Sequence, residues 1–463
     1  MQTFFLCFNA MFIFANMSWF AFSLTAIVSI ILLLKAPLSK KSGLRKSFIL
    51  LAFLIKFIAG SALTLVYTYY YSERGAADIY KFFDDAQVIA TALPEKPGHY
   101  FRLISGWDDE NPELLPYRKA MRNWEPQSSE WLEFTQTQSY NFFTSNRIIT
   151  RINAILLPLS GGNIFTHVLV FSLLITLASL SFLNTFRFEG KFNPYLTASI
   201  ILFWPSVLMW CGAPLKDALT LAAIFFSWSA FYKILQNPAK YQSWLQLVFW
   251  LSILLFTKYY VLPALLAGGF LCFVYKFSSP AFRVRNTLFT IIVGLIAIFI
   301  FEAAFPEKNL SVLLNNKREE ALKAAIFGEA RQMAFVGTVD GSFWGMLEES
   351  PKAIFRAVFL PLYPSDNSPI IMFPAIAENI LLLAIVLFTL LRLLKSKRLP
   401  ATFFPFLIFV LVLAWIIGYT TPVVGGIVRY KTAFLPILLM LCIHIVDINS
   451  VHHRQTRINK TKG

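Results

Sequence analysis

Charge is what this chain has least of. Only 14% of its 463 residues are charged, against about a quarter in an ordinary soluble domain. Acids are especially few, with 25 Asp and Glu against 41 Lys and Arg. That composition excludes the soluble globular class. Cysteine is also scarce: Cys7, Cys211, Cys272 and Cys442 lie in or beside apolar stretches, with no CxxC spacing and no nearby His partner. The pattern argues against a zinc site or a disulfide framework and leaves packing as their role. No glycine-rich phosphate loop of the GxGxxG or GxxxxGK[ST] kind occurs, and no tandem repeat or low-complexity tract is visible. A cytoplasmic nucleotide-driven engine is therefore not expected.

Apolar sequence is what the chain has in abundance, with 57% hydrophobic residues and a mean hydropathy of +0.61. A helix needs about 20 apolar residues to cross a bilayer. Runs of this kind cover Met17–Leu34, Phe48–Tyr71, Ile164–Leu183, Tyr195–Trp210, Leu215–Leu235, Trp244–Phe256, Val261–Tyr275, Leu288–Phe305, Met372–Leu394, Phe403–Tyr419 and Ala433–Val446. They predict an all-α polytopic membrane protein of about eleven spans. The runs 244–256 and 261–275 are short and joined by "TKYY", the pattern of a tightly turned pair or of partly inserted helices. The opening "MQTFFLCFNAMFIF" lacks a basic n-region and a small-residue cleavage site, so it is not read as a removed signal; Met11 and Met17 are alternative starts.

A net charge of +16 could point to nucleic acid, but the bases sit in short clusters between apolar runs rather than along one soluble face. Topology explains them better. Lys35, Lys40, Lys41, Arg45 and Lys46 fill the first loop without an acid, which places it in the cytoplasm and the N-terminus outside. Counting on, the inner segments become "NTFRFEGKFN", "KILQNPAKYQS", "KFSSPAFRVR", "LRLLKSKRLP" and the tail "HHRQTRINKTKG", each richer in bases than acids. The two long polar segments, 72–163 and 306–371, fall outside, and in both the acids at least match the bases. The chain is thus divided into two first spans (1–71), a large outer loop (72–163), a transmembrane core (164–305), a second outer segment (306–371), and final spans with a basic tail (372–463). In the second outer segment, "NNKREEALKAAIFGEARQMAF" predicts an amphipathic helix.

The outer loop opens with "ADIYKFFDDA" just after the second span. Asp78 and Asp85 are seven apart, hence on one face of a helix, and Asp84 sits about a third of a turn away. A second "DD" follows at Asp108 and Asp109. Basic residues gather at the same expected level: Lys216, beside Asp217, at the start of the fifth span, Lys258 in "TKYY", and Arg429 and Lys431 before the last span. The positive-inside rule does not account for bases outside. Together they would suit an anionic headgroup, with Arg429 able to hold a phosphate in bidentate fashion. A carboxylate beside phosphate-binding bases fits attack by an acceptor hydroxyl on a sugar whose leaving group is a lipid phosphate: the carboxylate takes the proton and the bases stabilise the departing charge.

With "ADIYKFFDDA", "PSVLMWCGAPLKDAL", the short pair around "TKYY" and "GGIVRYKTAFLPILLML" in hand, the chain from Phe48 onward resembles the GT-C superfamily of integral membrane glycosyltransferases, which includes protein O-mannosyltransferases and aminoarabinose transferases. The resemblance implies a GT-C-like helical bundle in a bacterial inner membrane, with its active site on the outer face. It also implies a polyprenyl-phosphate-linked sugar as donor, and a lipid, glycan or protein as acceptor. Catalysis by an early acidic residue of the first outer loop maps onto Asp78 first, with Asp84 and Asp85 next. Metal dependence differs among such enzymes and is left open. Two features depart from the superfamily: an additional span precedes the loop, and the adjacent Asp-Glu pair is replaced by "DD". Two rival readings are a polysaccharide polymerase, leaning on Arg147, Arg151 and Arg356, and a transporter or flippase of lipid-linked sugars, for which Lys56 is a midspan charge and Glu302 and Glu378 lie near span ends.

The charge asymmetry generates the first test. A cysteine introduced near Lys41 is expected to be shielded from an impermeant thiol reagent added outside, and one near Glu125 to be labelled; reversed labelling would invert the topology.

Overall fold

The computed structural model describes residues 2–69, 74, 77–108, 111–124, 145–186, 194–279, 281–305, 310–328, 330, 332–335, 340–364, 370–396 and 403–446. The long apolar runs fold as helices, as they must where the surroundings offer the backbone no hydrogen bonds. In chain order the helices are α1 (Gln2–Lys35), α2 (Pro37–Lys41), α3 (Lys46–Tyr69), α4 (Asp78–Glu95), α5 (Pro97–Ser105), α6 (Leu115–Ala120) and α7 (Ser145–Ser160). There follow α8 (Ile164–Phe186), α9 (Pro194–Phe203), α10 (Pro205–Cys211), α11 (Lys216–Gln236), α12 (Tyr241–Lys258), α13 (Val261–Phe277) and α14 (Arg283–Ala304). The last are α15 (Leu310–Phe327), α16 (Phe343–Phe359), α17 (Phe373–Ser396), α18 (Phe403–Thr420), α19 (Val424–Tyr430) and α20 (Leu435–Val446). Among the described residues there is no β-strand, only an isolated antiparallel bridge between Met333 and Val423.

Seven of these helices, α1, α3, α8, α11, α14, α17 and α18, are long and apolar enough to cross a membrane. Two bent pairs raise the number to as many as nine: α9 with α10, bent by 50°, and Val424–Ala433 with Leu435–Val446, bent by 62°. The protein is therefore an all-α polytopic membrane protein. The first bend has a local cause. Pro205 lacks an N–H and disfavours a helical conformation at Trp204, so the helix stops and restarts there. The runs expected at 244–256 and 261–275 are also helical, as α12 with 18 residues and α13 with 17, and stand outside the seven.

The chain forms two compact units: residues 1–186, 207–226 and 248–259, and residues 187–206, 227–247 and 260–463. These boundaries follow packing, whereas the segments read from sequence follow membrane side. In the first unit α8 packs on α1 and α3, while α4 lies along α5 and α7. The α3 helix meets the chain after α10 backbone to backbone: a Cβ on Gly60 would stand 2.3 Å from the Gly212 carbonyl oxygen. Small residues are what allow such an approach. Phe182 of α8 stacks on Phe225 of α11, centroids 4.5 Å apart. One face of α4 buries Phe83, Ala86, Ile89 and Ala92, at three-residue spacing, against Tyr100, Leu103, Trp124 and Leu157.

In the second unit α18 is the central helix, packed on α13, α15 and α16. Trp228 lies 4.3 Å from Phe406 at the start of α18. At its other end a Cβ on Gly418 would stand 1.8 Å from the Ala353 carbonyl oxygen of α16. Glycine is required there by space.

Gly60→Ala and Gly418→Ala are each expected to cost about 1–3 kcal/mol through overpacking. Gly294→Ala, where a Cβ meets nothing within 4 Å, should instead be neutral or stabilise α14 by up to about 1 kcal/mol. Thermal unfolding in detergent checks the contrast, and equal midpoints for all three would contradict it.

Candidate functional site

The acidic stretch is the first turns of α4, and its three carboxylates have three different surroundings. Asp78 is the first helical residue; Ala77 before it supplies no side-chain cap, so the carboxylate provides the negative charge that a helix start favours. Its side chain remains 31% exposed and lies 3.6 Å from Lys81 Nζ. Asp84 is gripped by Arg74, whose Nε and Nη2 donate to its two oxygens at 2.9 and 2.7 Å. The same guanidinium covers the Tyr80 ring at 3.8 Å, and the Tyr80 hydroxyl is 2.6 Å from Thr68 Oγ1 on α3. This ties α4 to the end of a membrane helix.

Asp85 is buried. Its Oδ1 accepts the backbone N–H of Arg122 at 2.9 Å and its Oδ2 that of Asn123 at 3.0 Å. Burial pushes its carboxyl above the usual range, and the two amide bonds oppose that shift without cancelling it. It fastens the turn after α6 onto α4. The sequence offered Asp85 as a second functional carboxylate; the structure gives both of its oxygens backbone partners.

Lys216 opens α11. Its ammonium donates to Asn146 Oδ1 on α7 at 2.8 Å and lies 5.6 Å from the centre of the Phe82 ring. Phe82 is four residues after Asp78 and three before Asp85, so all three occupy one face of α4. The first unit thus sets Lys216 against Phe82, one turn after Asp78 on α4. Next to it in sequence, Asp217 accepts from Lys258 Nζ at 2.6 Å, with side chains 0% and 7% exposed. Taking two such charges out of water is costly and is offset only by close contact of this kind. The pair joins the start of α11 to the end of α12.

Arg429 and Lys431 belong to the second unit. Arg429 is half-buried on α19. Lys431 is buried, and its ammonium donates to Asn379 Oδ1 and to the Leu360 carbonyl. In the same unit Glu378 Oε2 accepts the Ser206 N–H at 2.8 Å.

The chain matches no protein-family model, no curated protein and no solved structure. Its chemistry is read from these side chains alone. Among the described residues no group of three or more His, Cys, Asp or Glu is placed to hold a metal ion. The arginines of the polymerase reading have protein partners: Arg147 donates to the Trp124 carbonyl, Arg151 to that of Leu103, and Arg356 pairs with Glu349 at 2.6 Å. Lys56 of α3 is wholly buried. Asp109 and Glu125 lie outside the described residues.

Sequence reasoning missed Arg74 and Asn146. Arg74 gives no periodic signal, because it lies before α4 starts. Asn146 carried a weak signal, at the start of the amphipathic run "SNRIITRINAI". A buried chain of Asn153, His167 and Ser160, with contacts of 2.7 and 3.0 Å, ties α7 to α8 beneath Phe83.

Because the Asp85 carboxyl is raised in the folded protein, the group adds stability at pH values below the ordinary carboxylate range and loses it as pH rises through the raised pKa. Asp85→Asn turns an amide NH2 toward a backbone N–H and is expected to cost about 1–3 kcal/mol. The penalty should be larger at about pH 4 than at about pH 7 in thermal unfolding; a penalty that grows with pH would contradict this assignment.

Proposed function

We propose that this protein is a GT-C-type membrane glycosyltransferase that moves a sugar from a polyprenyl-phosphate-linked donor to an acceptor hydroxyl at the outer face of the membrane. The observation that carries the reading is the Lys216 ammonium 5.6 Å from the ring of Phe82, one turn after Asp78 on α4. The carboxylate opens α4 and the ammonium opens the membrane helix α11, which packs against the first turns of α4 through Phe82. In this reading α12 and α13 are inserted as well, which brings the spans to eleven, and 72–163 and 306–371 lie outside.

The roles follow from the surroundings. The acceptor oxygen gives its proton to the Asp78 carboxylate as it attacks the sugar's anomeric carbon. The bond from that carbon to the phosphate oxygen breaks, and its electron pair leaves with the lipid phosphate, whose charge Lys216 offsets. Asn146 orients Lys216, and the Asp217–Lys258 pair fixes the backbone from which Lys216 springs. Arg74 holds Asp84 as a brace for the helix start, and Asp78, the first residue of α4, is assigned the role of base. No nucleotide is required, and the acceptor is a lipid, glycan or protein hydroxyl.

The test is release of polyprenyl phosphate by the full chain in nanodiscs supplied with a mixture of polyprenyl-phosphate sugars and acceptor lipids. Asp78→Asn should lower turnover about a hundredfold to ten-thousandfold with donor binding retained. Lys216→Ala should weaken donor use, with Lys216→Arg restoring it only in part. Near-normal turnover in well-folded Asp78→Asn would remove the base. Movement of the intact donor across the membrane without release of lipid phosphate would replace the transferase with a transporter.

A further inference from the structure

In the second unit a cleft of about 330 Å³ lies where the last turn of α14 meets the first turns of α15 and α16. That volume is within the range of about 300–1,000 Å³ usual for small-molecule sites, and the transfer reading gives the cleft no role. Three rings wall it. Phe299 of α14 stands 6.1 Å from Phe343 and 6.3 Å from Trp344, the first two residues of α16, and those two are 5.8 Å apart, with ring planes inclined by 58° to 71°. Rings so inclined form walls rather than a closed stack. Phe299 is 50% exposed and Trp344 65%, so the cleft opens beside them.

The rest of the lining is rich in acceptors. Glu302, one turn after Phe299, is buried and accepts the Ser311 N–H at 3.0 Å and the Ser311 hydroxyl at 2.6 Å. Asp340, just before the lining residues Gly341 and Ser342, accepts the Ser342 N–H at 3.2 Å and its hydroxyl at 2.7 Å. Both serine hydroxyls are thus spent on carboxylates, and the Trp344 indole N–H is the one lining side-chain donor left. Residues 299–349 carry eight acids against five bases, in a chain whose net charge is +16; Glu307, Lys308, Glu329 and Arg331 of that count lie outside the described residues. Of the other bases, Lys317 pairs with Glu320 at 2.9 Å, Arg318 donates to the Tyr419 carbonyl, and Lys323 is more than three turns beyond Ser311 on α15. A lining of carboxylate, carbonyl and aromatic faces suits a positively charged group that only donates, which is an ammonium. The bilayer itself can supply one. Only 11% of the apolar stretch of α14 is buried, so lipid lies along this helix up to the cleft at its end, and tryptophan belongs at the level of the headgroups.

We propose that this cleft binds the headgroup of a phosphatidylethanolamine from the surrounding bilayer, its ammonium held among the Phe299, Phe343 and Trp344 rings and the charge of Glu302. A primary ammonium is favoured over choline because it has N–H groups to give to the lining oxygens, and the adjoining phosphodiester can accept the Trp344 indole N–H. The proposal stands independently of the glycosyltransferase reading. It is tested by native mass spectrometry of the full chain released from nanodiscs that hold equal amounts of phosphatidylethanolamine, phosphatidylcholine and phosphatidylglycerol with the same acyl chains. Ethanolamine lipid should be retained in preference to both others. Trp344→Ala should reduce that preference by about two- to thirtyfold and Trp344→Phe by less; since Trp344 is exposed, the fold should survive its removal. Glu302→Gln should abolish the preference for ethanolamine over glycerol lipid, with the thermal unfolding midpoint recorded alongside because Glu302 also holds the start of α15. Equal retention of the three lipids, retention of choline above ethanolamine, or a preference unchanged in Trp344→Ala would overturn the proposal.

Discussion

Lipid offers a polypeptide no hydrogen bonds, and nearly everything about this chain follows from that constraint. It makes the apolar runs helical and keeps charge scarce. It also dictates how the few buried charges are treated. Asp217 is closed on Lys258 at 2.6 Å, and Lys431 is bonded to Asn379 and Leu360. Helices that cannot attract one another by excluding water must touch closely instead, which is why Gly60, Gly268 and Gly418 stand where another backbone arrives.

Outside the apolar helices a different rule applies. The segment built on α4, α5, α6 and α7 has a core like that of a soluble domain, in which Trp124, Tyr100 and Leu157 close over the apolar face of α4. Its acidic side is arranged with equal care. One carboxylate pins a turn, one is clamped by arginine, and one opens the helix beside Lys81. Differences in surroundings, more than residue type, are what separate functional from structural acids.

The longest apolar helices were legible in the sequence because length and apolarity are local properties: runs such as 164–183 and 403–419 reappear as α8 and α18 with ends shifted by a few residues. The breaks were less so. The run 195–210 reads as one span until Pro205 is seen to divide it. In the acidic stretch the shared face of Asp78 and Asp85 followed from helical spacing, but the role of Asp85 did not. Its partners are backbone amides at 122 and 123, 37 and 38 residues away, and a backbone N–H carries no sequence signature. Likewise Asp217 and Lys258 were visible as separate charges 41 residues apart; only folding makes them a pair.

In the proposed transferase a lipid-borne sugar phosphate sits between Asp78 and Lys216. A structure of the protein in nanodiscs with a non-cleavable polyprenyl phosphonate sugar would test it most directly. The phosphonate is expected within about 3–4 Å of the Lys216 ammonium, with the anomeric carbon facing Asp78. A phosphonate bound away from α4, with Lys216 still turned to Asn146 and Phe82, would contradict it.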